Sequence, residues 1–149
     1  MTPRGADVDS RRAGSSPGRR RPVRGRAAQE VPMSYVDGFV LAVPRANLAA
    51  YRRLARKAGS IWREYGALRY VECVADDVQP GKVTSFPQAV KLKPDEVVVF
   101  SWIEYRSRRD RDRINQKVMA DPRLKMAPET MPFDGMRMFW GGFKRMLEL

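Results

Sequence analysis

The chain has 149 residues, 29 Lys and Arg against 17 Asp and Glu, no histidine and one cysteine. That length suits one domain with one core. The missing imidazole removes Ser-His and Cys-His nucleophile pairs, His-ligated haem and most zinc sites, and the lone Cys73 allows neither an internal disulfide nor a metal-ligand pair, which fits a reducing cytoplasm.

The net charge of +12 is unevenly spread. Residues 1–32 carry Arg4, Arg11, Arg12, Arg19, Arg20, Arg21, Arg24 and Arg26 among Gly, Ser and Pro, with almost no aromatic or branched aliphatic side chains. Such a segment cannot bury enough surface to offset its ordering entropy, so an unfolded extension is expected there, with the folded domain at 33–149. Two readings stand for it: a start assigned upstream of Met33, or a basic arm for nucleic acid. Arginine without interleaved aromatics makes nucleic acid the weaker reading. No run reaches the ~18 apolar residues of a membrane span, and the leader lacks the apolar centre of a secretory signal.

From Tyr35 to Val43 the pattern is a strand, closed by Pro44 where a helix begins. The helix is expected to run to about Tyr65, its apolar stripe made by Leu48, Tyr51, Leu54, Ala55, Ala58, Ile61, Trp62 and Tyr65. Arg52, Arg53, Arg56, Lys57 and Arg63 occupy the other side, either as a solvated face or as an anion-binding surface. Gly66 supplies the left-handed stop. Leu68 to Ala75 reads as a second strand. The long connection from Asp77 to Asp95, with a short helix near Ser85 to Leu92, reads as a lid or binding loop.

Val97 to Tyr105, the most apolar and β-branched run, is the expected central strand. Its Ser101 and Glu104 need partners, because an unpaired buried carboxylate costs on the order of several kcal/mol. Ser107 caps a second helix through about Ala120, with Ile114 and Val118 inward and Asp121-Pro122 as its stop. Met136 to Phe143 is the fourth strand, where Gly141-Gly142 signals a bulge or a close backbone approach.

Strand, helix, strand, strand, helix, strand is the split βαβ plan: an α+β, ferredoxin-like βαββαβ fold with a four-stranded antiparallel sheet and both helices on one face. The first strand is apolar on both sides, yet two helices cover only one. A second copy or a bound apolar ligand is then the expected cover for the other.

Asp37, Glu72 and Glu104 each interrupt an apolar strand, and Asp134 with Arg137 flanks the fourth. If they converge, a carboxylate raised by burial can shuttle a proton and Arg137 can hold an anion or a developing enolate, which makes Glu104, Asp37, Glu72 and Arg137 the catalytic candidates. The competing reading is an ion-pair network that fixes strand register or a dimer. Trp102, Tyr105, Phe133 and Asp134 are the candidate ligand-pocket residues, against core or interface packing. No spacing points to a metal or a cofactor; Gly81-Lys-Val-Thr84 is only a fragment of a phosphate loop.

Tyr35-Val-Asp-Gly-Phe39, Tyr70-Val-Glu-Cys73, Phe100-Ser-Trp-Ile-Glu-Tyr105, Asn115-Gln-Lys117, Asp121-Pro-Arg123 and Met131-Pro-Phe-Asp-Gly135, followed by Gly141-Gly-Phe143, together resemble the small bacterial YbaA-like family, domain of unknown function 1428. The resemblance runs from Met33 onward. It implies membership of the dimeric α/β barrel superfamily, hence a homodimer with sheets packed face to face. Members of that superfamily include cofactor-independent monooxygenases, haem-degrading enzymes and muconolactone isomerase, so the fold alone transmits no activity. The leading expectation is a small cytoplasmic homodimer that binds a small, largely apolar or anionic molecule, with monooxygenase-like or isomerase-like chemistry if it is an enzyme. The alternatives are a non-catalytic structural or regulatory dimer and nucleic-acid binding through the arm and helix face.

Overall fold

The structure is a computed structural model that describes residues 34–149. The Arg-rich segment 1–32 and the Met33 start lie outside the described residues. Four strands, β1 (Tyr35–Pro44), β2 (Arg69–Val74), β3 (Glu96–Tyr105) and β4 (Phe139–Lys144), form one antiparallel sheet in the order β2-β3-β1-β4. Helices α1 (Leu48–Glu64) and α3 (Arg108–Ala120) follow β1 and β3, and a short α2 (Phe86–Ala89) lies in the β2–β3 connection. This is the α+β, ferredoxin-like βαββαβ arrangement.

β3 is central, flanked by β1 from the pair Tyr35 and Tyr105 to the pair Pro44 and Glu96, and by β2 from Arg69 opposite Glu104 to Val74 opposite Val99. Strand alternation sends Tyr35, Asp37, Phe39, Leu41 and Val43 of β1 toward the helices. There Leu41, Val43 and Val99 pack with Tyr51 and Ala55 of α1, and Tyr35, Ile103 and Tyr105 pack with Ile61, Ile114 and Val118. Each fully buried Leu, Ile or Val contributes about 1.5–3 kcal/mol.

The second face is only half covered. The β2–β3 connection folds back so that Val90, wholly buried, packs with Val40, Ala42 and Val98, and Leu92 and Ala75 lie against them. Phe86 of α2 reaches as far as Phe100, edge-on at 5.9 Å, and leaves that ring 42% exposed, while Phe139 and Phe143 stay 46 and 63% exposed. The long connection is therefore a lid for one end of the sheet's outer face.

Local signals act as their chemistry requires. A 3₁₀ turn (Arg45–Asn47) intervenes between Pro44 and α1, and Gly66 takes a φ of 116° at the end of α1. Ser107 caps α3 by accepting a hydrogen bond from the Asp110 amide at 3.1 Å. β4 begins at Phe139, three residues after the expected Met136, because Asp134 accepts from the Met136 amide at 2.9 Å and turns Gly135–Arg137 into a 3₁₀ turn. Gly142 is a site of close approach: a Cβ there would collide with the Tyr35 hydroxyl and meet the Arg111 guanidinium at 2.8 Å.

Candidate functional site

Among the side chains that β2 and β3 send toward the helices are Tyr70 facing Ile103 and Glu72 facing Ser101. α1 lays Tyr51, Leu54, Ala55 and Ala58 over them, and the segment after α3 closes the far side with Leu124, Met126, Met131, Phe133 and Met138. Between these layers is a cavity of about 260 Å³. Its walls are overwhelmingly apolar, and methionines supply pliable surface.

Glu72 is the polar centre of this cavity. The Tyr51 hydroxyl donates to its Oε2 at 2.7 Å and the Tyr70 hydroxyl to its Oε1 at 2.9 Å. Burial pushes the carboxyl above the ordinary glutamate range, and the hydroxyls of Tyr51, Tyr70 and Ser101 pull it back part of the way. No guanidinium or ammonium holds it low. Both tyrosine hydroxyls are in turn pushed well above their usual range, first by burial and then by the adjacent carboxylate. The ring of Phe133 stands edge-on to Tyr51 at 5.6 Å. The result is a carboxyl able to hold a proton, gripped by neutral hydroxyls in an apolar chamber.

Asp37 also faces the helices, but in a separate network under α3. Its carboxyl is fully buried. Asn115 Nδ2 donates to Oδ2 at 3.2 Å and Arg111 Nε lies 3.7 Å from Oδ1. Asn115 Oδ1 accepts from Trp62 Nε1 at 2.9 Å and from the Tyr105 hydroxyl at 3.1 Å. Burial raises the Asp37 carboxyl, against the pull of Arg111, Asn115 and Tyr105. This network ties β1, β3, α1 and α3 together, and Tyr105 belongs to it, wholly buried, rather than to the cavity wall.

Glu104 and Arg137 lie on the other side of the sheet. Glu104 sits between Arg69 at 3.4 Å and Arg145 at 3.7 Å. Arg137 makes a two-pronged pair with buried Glu96 at 2.6 and 2.7 Å, reaches Asp134 at 2.9 Å and donates to the carbonyls of Val90 and Lys91. It ties the lid to the approach to β4, and it holds Glu96 below the ordinary glutamate range. Asp134 is exposed beside it, while the Trp102 ring packs on Phe100 at 5.8 Å on the outer face. The four catalytic candidates thus do not share one cleft. Of them Glu72 lines the cavity, and of the four pocket candidates Trp102 and Phe133 line it, Phe133 with its ring edge-on to Tyr51.

Tyr51 and Tyr70 are site residues that sequence reasoning does not single out, whereas Ser101, marked there as needing a partner, meets Glu72. Tyr70 and Glu72 are two apart on a strand and therefore share a face, a signal that was available. Tyr51 was placed in the apolar stripe of α1, where nothing marked its hydroxyl as the partner of a strand 21 residues on. Among the described residues no group of three or more Cys, Asp or Glu side chains is placed to hold a metal ion, and no helix is long and apolar enough to cross a membrane.

Comparison with known proteins places this geometry in a family. Residues 34–135 match the family described as "Protein of unknown function (DUF1428)". The "Uncharacterized protein YbaA" of Escherichia coli K12 is 57% identical over 116 residues, covering 78% of this chain and 99% of that protein, and the Shigella flexneri YbaA matches to the same extent. Among solved structures the de novo designed protein Foldit4 aligns with a TM-score of 0.38 at 10% identity, over 77% of this chain and 99% of its own. The Glu72 carboxyl, both tyrosines and every lining residue of the cavity except Met138 fall inside the matched segment, and the chain belongs to the DUF1428 family.

Proposed function

We propose that the protein binds a small, largely apolar molecule in the cavity between the sheet and α1, with Glu72 accepting a hydrogen bond or a proton from it. The observation that carries this reading is the Glu72 carboxyl itself, raised by burial and held only by hydroxyls inside an apolar chamber of about 260 Å³. Keeping such a group desolvated is costly, and a well-packed apolar residue there would be the stabler choice. A carboxyl raised by burial is a more basic proton acceptor than a solvated one, and proton transfer is the step that isomerase-like and oxygenase-like reactions share.

The test uses 1-octanol, a neutral apolar probe with one hydroxyl, followed by calorimetry. Wild type is expected to bind it saturably, Glu72→Gln to bind it more weakly, and Leu54→Trp, which fills the chamber, to lose binding. Retention of full affinity by Leu54→Trp would place the probe elsewhere and overturn the reading.

The working form we propose is a homodimer in which a second copy covers the uncovered end of the outer sheet face. Phe139 and Phe143 of β4 support it, with the open side of Phe100 on the same sheet face, since several exposed aromatics on one face are unusual on a soluble monomer. The exposed free thiol of Cys73 supports a reducing cytoplasm as its compartment.

A further inference from the structure

Glu72 borders two spaces. Besides the inner chamber, it lines an outer groove of about 550 Å³ between α1 and the free edge of β2, and Tyr51, Ala55 and Tyr70 line both. The groove is apolar along Leu48, Val74 and Val99, but α1 adds the guanidinium-bearing side chains of Arg52 and Arg56, one helical turn apart. Most other body arginines near the sheet are engaged: Arg111, Arg123, Arg137 and Arg145 each pair with a carboxylate, and Arg63 donates to the carbonyls of Ala67 and Leu68. Among the described residues Arg52 and Arg56 enter no ion pair, nor do Arg45, Arg53, Arg106, Arg108 and Arg109, and of these seven Arg52 and Arg56 are the two that line the groove. Glu72, though in the same groove, is held by hydroxyls and not by either guanidinium. Two like charges four residues apart cost helix stability and gain nothing inside the fold.

The geometry points to an amphipathic anion as the ligand class: a carboxylate or a phosphate monoester held by Arg52 and Arg56 in the groove, with the apolar body passing Tyr51 into the Glu72 chamber. This rests on the cavity reading above and deepens it. The anionic group is then held on the α1 side of the groove, across it from the β2 strand that carries Glu72. An anion inside the chamber would face Glu72 with the single ammonium of Lys125 on the wall, whereas an anion in the groove meets two guanidinium groups and solvent.

The test compares 1-octanol with octanoate and octyl phosphate, by calorimetry on the full chain at neutral pH. Octanoate or octyl phosphate is expected to bind about ten-fold more tightly than octanol. Raising salt from about 50 mM to about 300 mM should erode that advantage and leave octanol unchanged. Arg52→Gln/Arg56→Gln should abolish the preference; glutamine is a good former at exposed helix positions, so the fold is retained. Arg53→Gln/Lys57→Gln, which removes equal charge from α1 outside the groove, should preserve it. Stronger binding of octyl phosphate than of octanoate would assign the phosphate source, and the reverse the carboxylate. Octanol binding with no anion preference, or a preference lost equally in both double variants, overturns the groove alone. Failure of wild type to bind any of the three overturns the chamber and the groove together.

Discussion

Glu96 is a buried and Glu72 a half-buried carboxylate on this sheet, and they shift in opposite directions because of what faces them. Arg137 meets Glu96 with two short hydrogen bonds and lowers it, so the stability it contributes is present above about pH 4.3 and lost as pH falls. Tyr51 and Tyr70 give Glu72 only neutral donors, and burial raises it. The sign is then reversed: as pH climbs past about 4.3 the unfolded chain releases its proton first, and stability is lost until the folded carboxyl has ionised. Glu72→Gln is accordingly expected to melt higher than wild type at neutral pH, with the gap closing as the pH is lowered toward 4. Thermal unfolding followed across that pH range checks it; a variant less stable than wild type at neutral pH would mean that Glu72 is a structural tie.

At the scale of elements, the cavity depends on how closely α1 lies on β2. Gly59 is buried on α1, and a Cβ there would meet the Tyr70 ring at 2.5 to 3.0 Å. The glycine thus leaves room for the ring whose hydroxyl holds Glu72. Gly59→Ala gains roughly 1 kcal/mol of helix propensity but overpacks the contact by about 1–3 kcal/mol. A net loss of stability is expected, turning into a gain when Tyr70 is also replaced by Ala; equilibrium denaturation of the four proteins measures the coupling. A destabilisation that persists with Tyr70→Ala would show that the helix and strand are not set apart by this ring.

The plan of the fold was legible because its signals are periodic and local. β-branched runs, the stripe on α1, Ser107 as a cap and Gly66 as a stop each act within a few residues. The start of β4 was misplaced because an Asx turn at Asp134 competes with extension, and strand propensity does not register it. Glu72 was visible as a carboxyl breaking an apolar strand, but so were Asp37 and Glu104. What separates them is strand parity and helix placement: Glu104 falls on the other face from Glu72, and α3 brings Asn115 and Arg111 to Asp37. Such pairings across 70 or more residues are set by tertiary structure, which one sequence does not display.

For the whole molecule, the outer face of the sheet divides into a part roofed by the lid, whose Phe86 reaches the Phe100 ring, and a part along β4 that shows Phe139 and Phe143. Phe143→Glu, on edge strand β4 where the ring is 63% exposed, removes an apolar contact from any interface there without opening the core. Sedimentation velocity is expected to show a dimer for wild type and a folded monomer for Phe143→Glu, and a dimer unaffected by the substitution would assign the contact to another surface.

The functional account turns on the ionisation of one side chain. A carboxyl-detected ¹³C NMR titration of Glu72, assigned by comparison with Glu72→Gln and repeated with saturating 1-octanol, reads it directly. Glu72 is predicted to titrate above the ordinary glutamate range in the free protein and to shift when the probe is bound. A Glu72 that titrates like a solvated glutamate and does not respond to the probe would contradict the account.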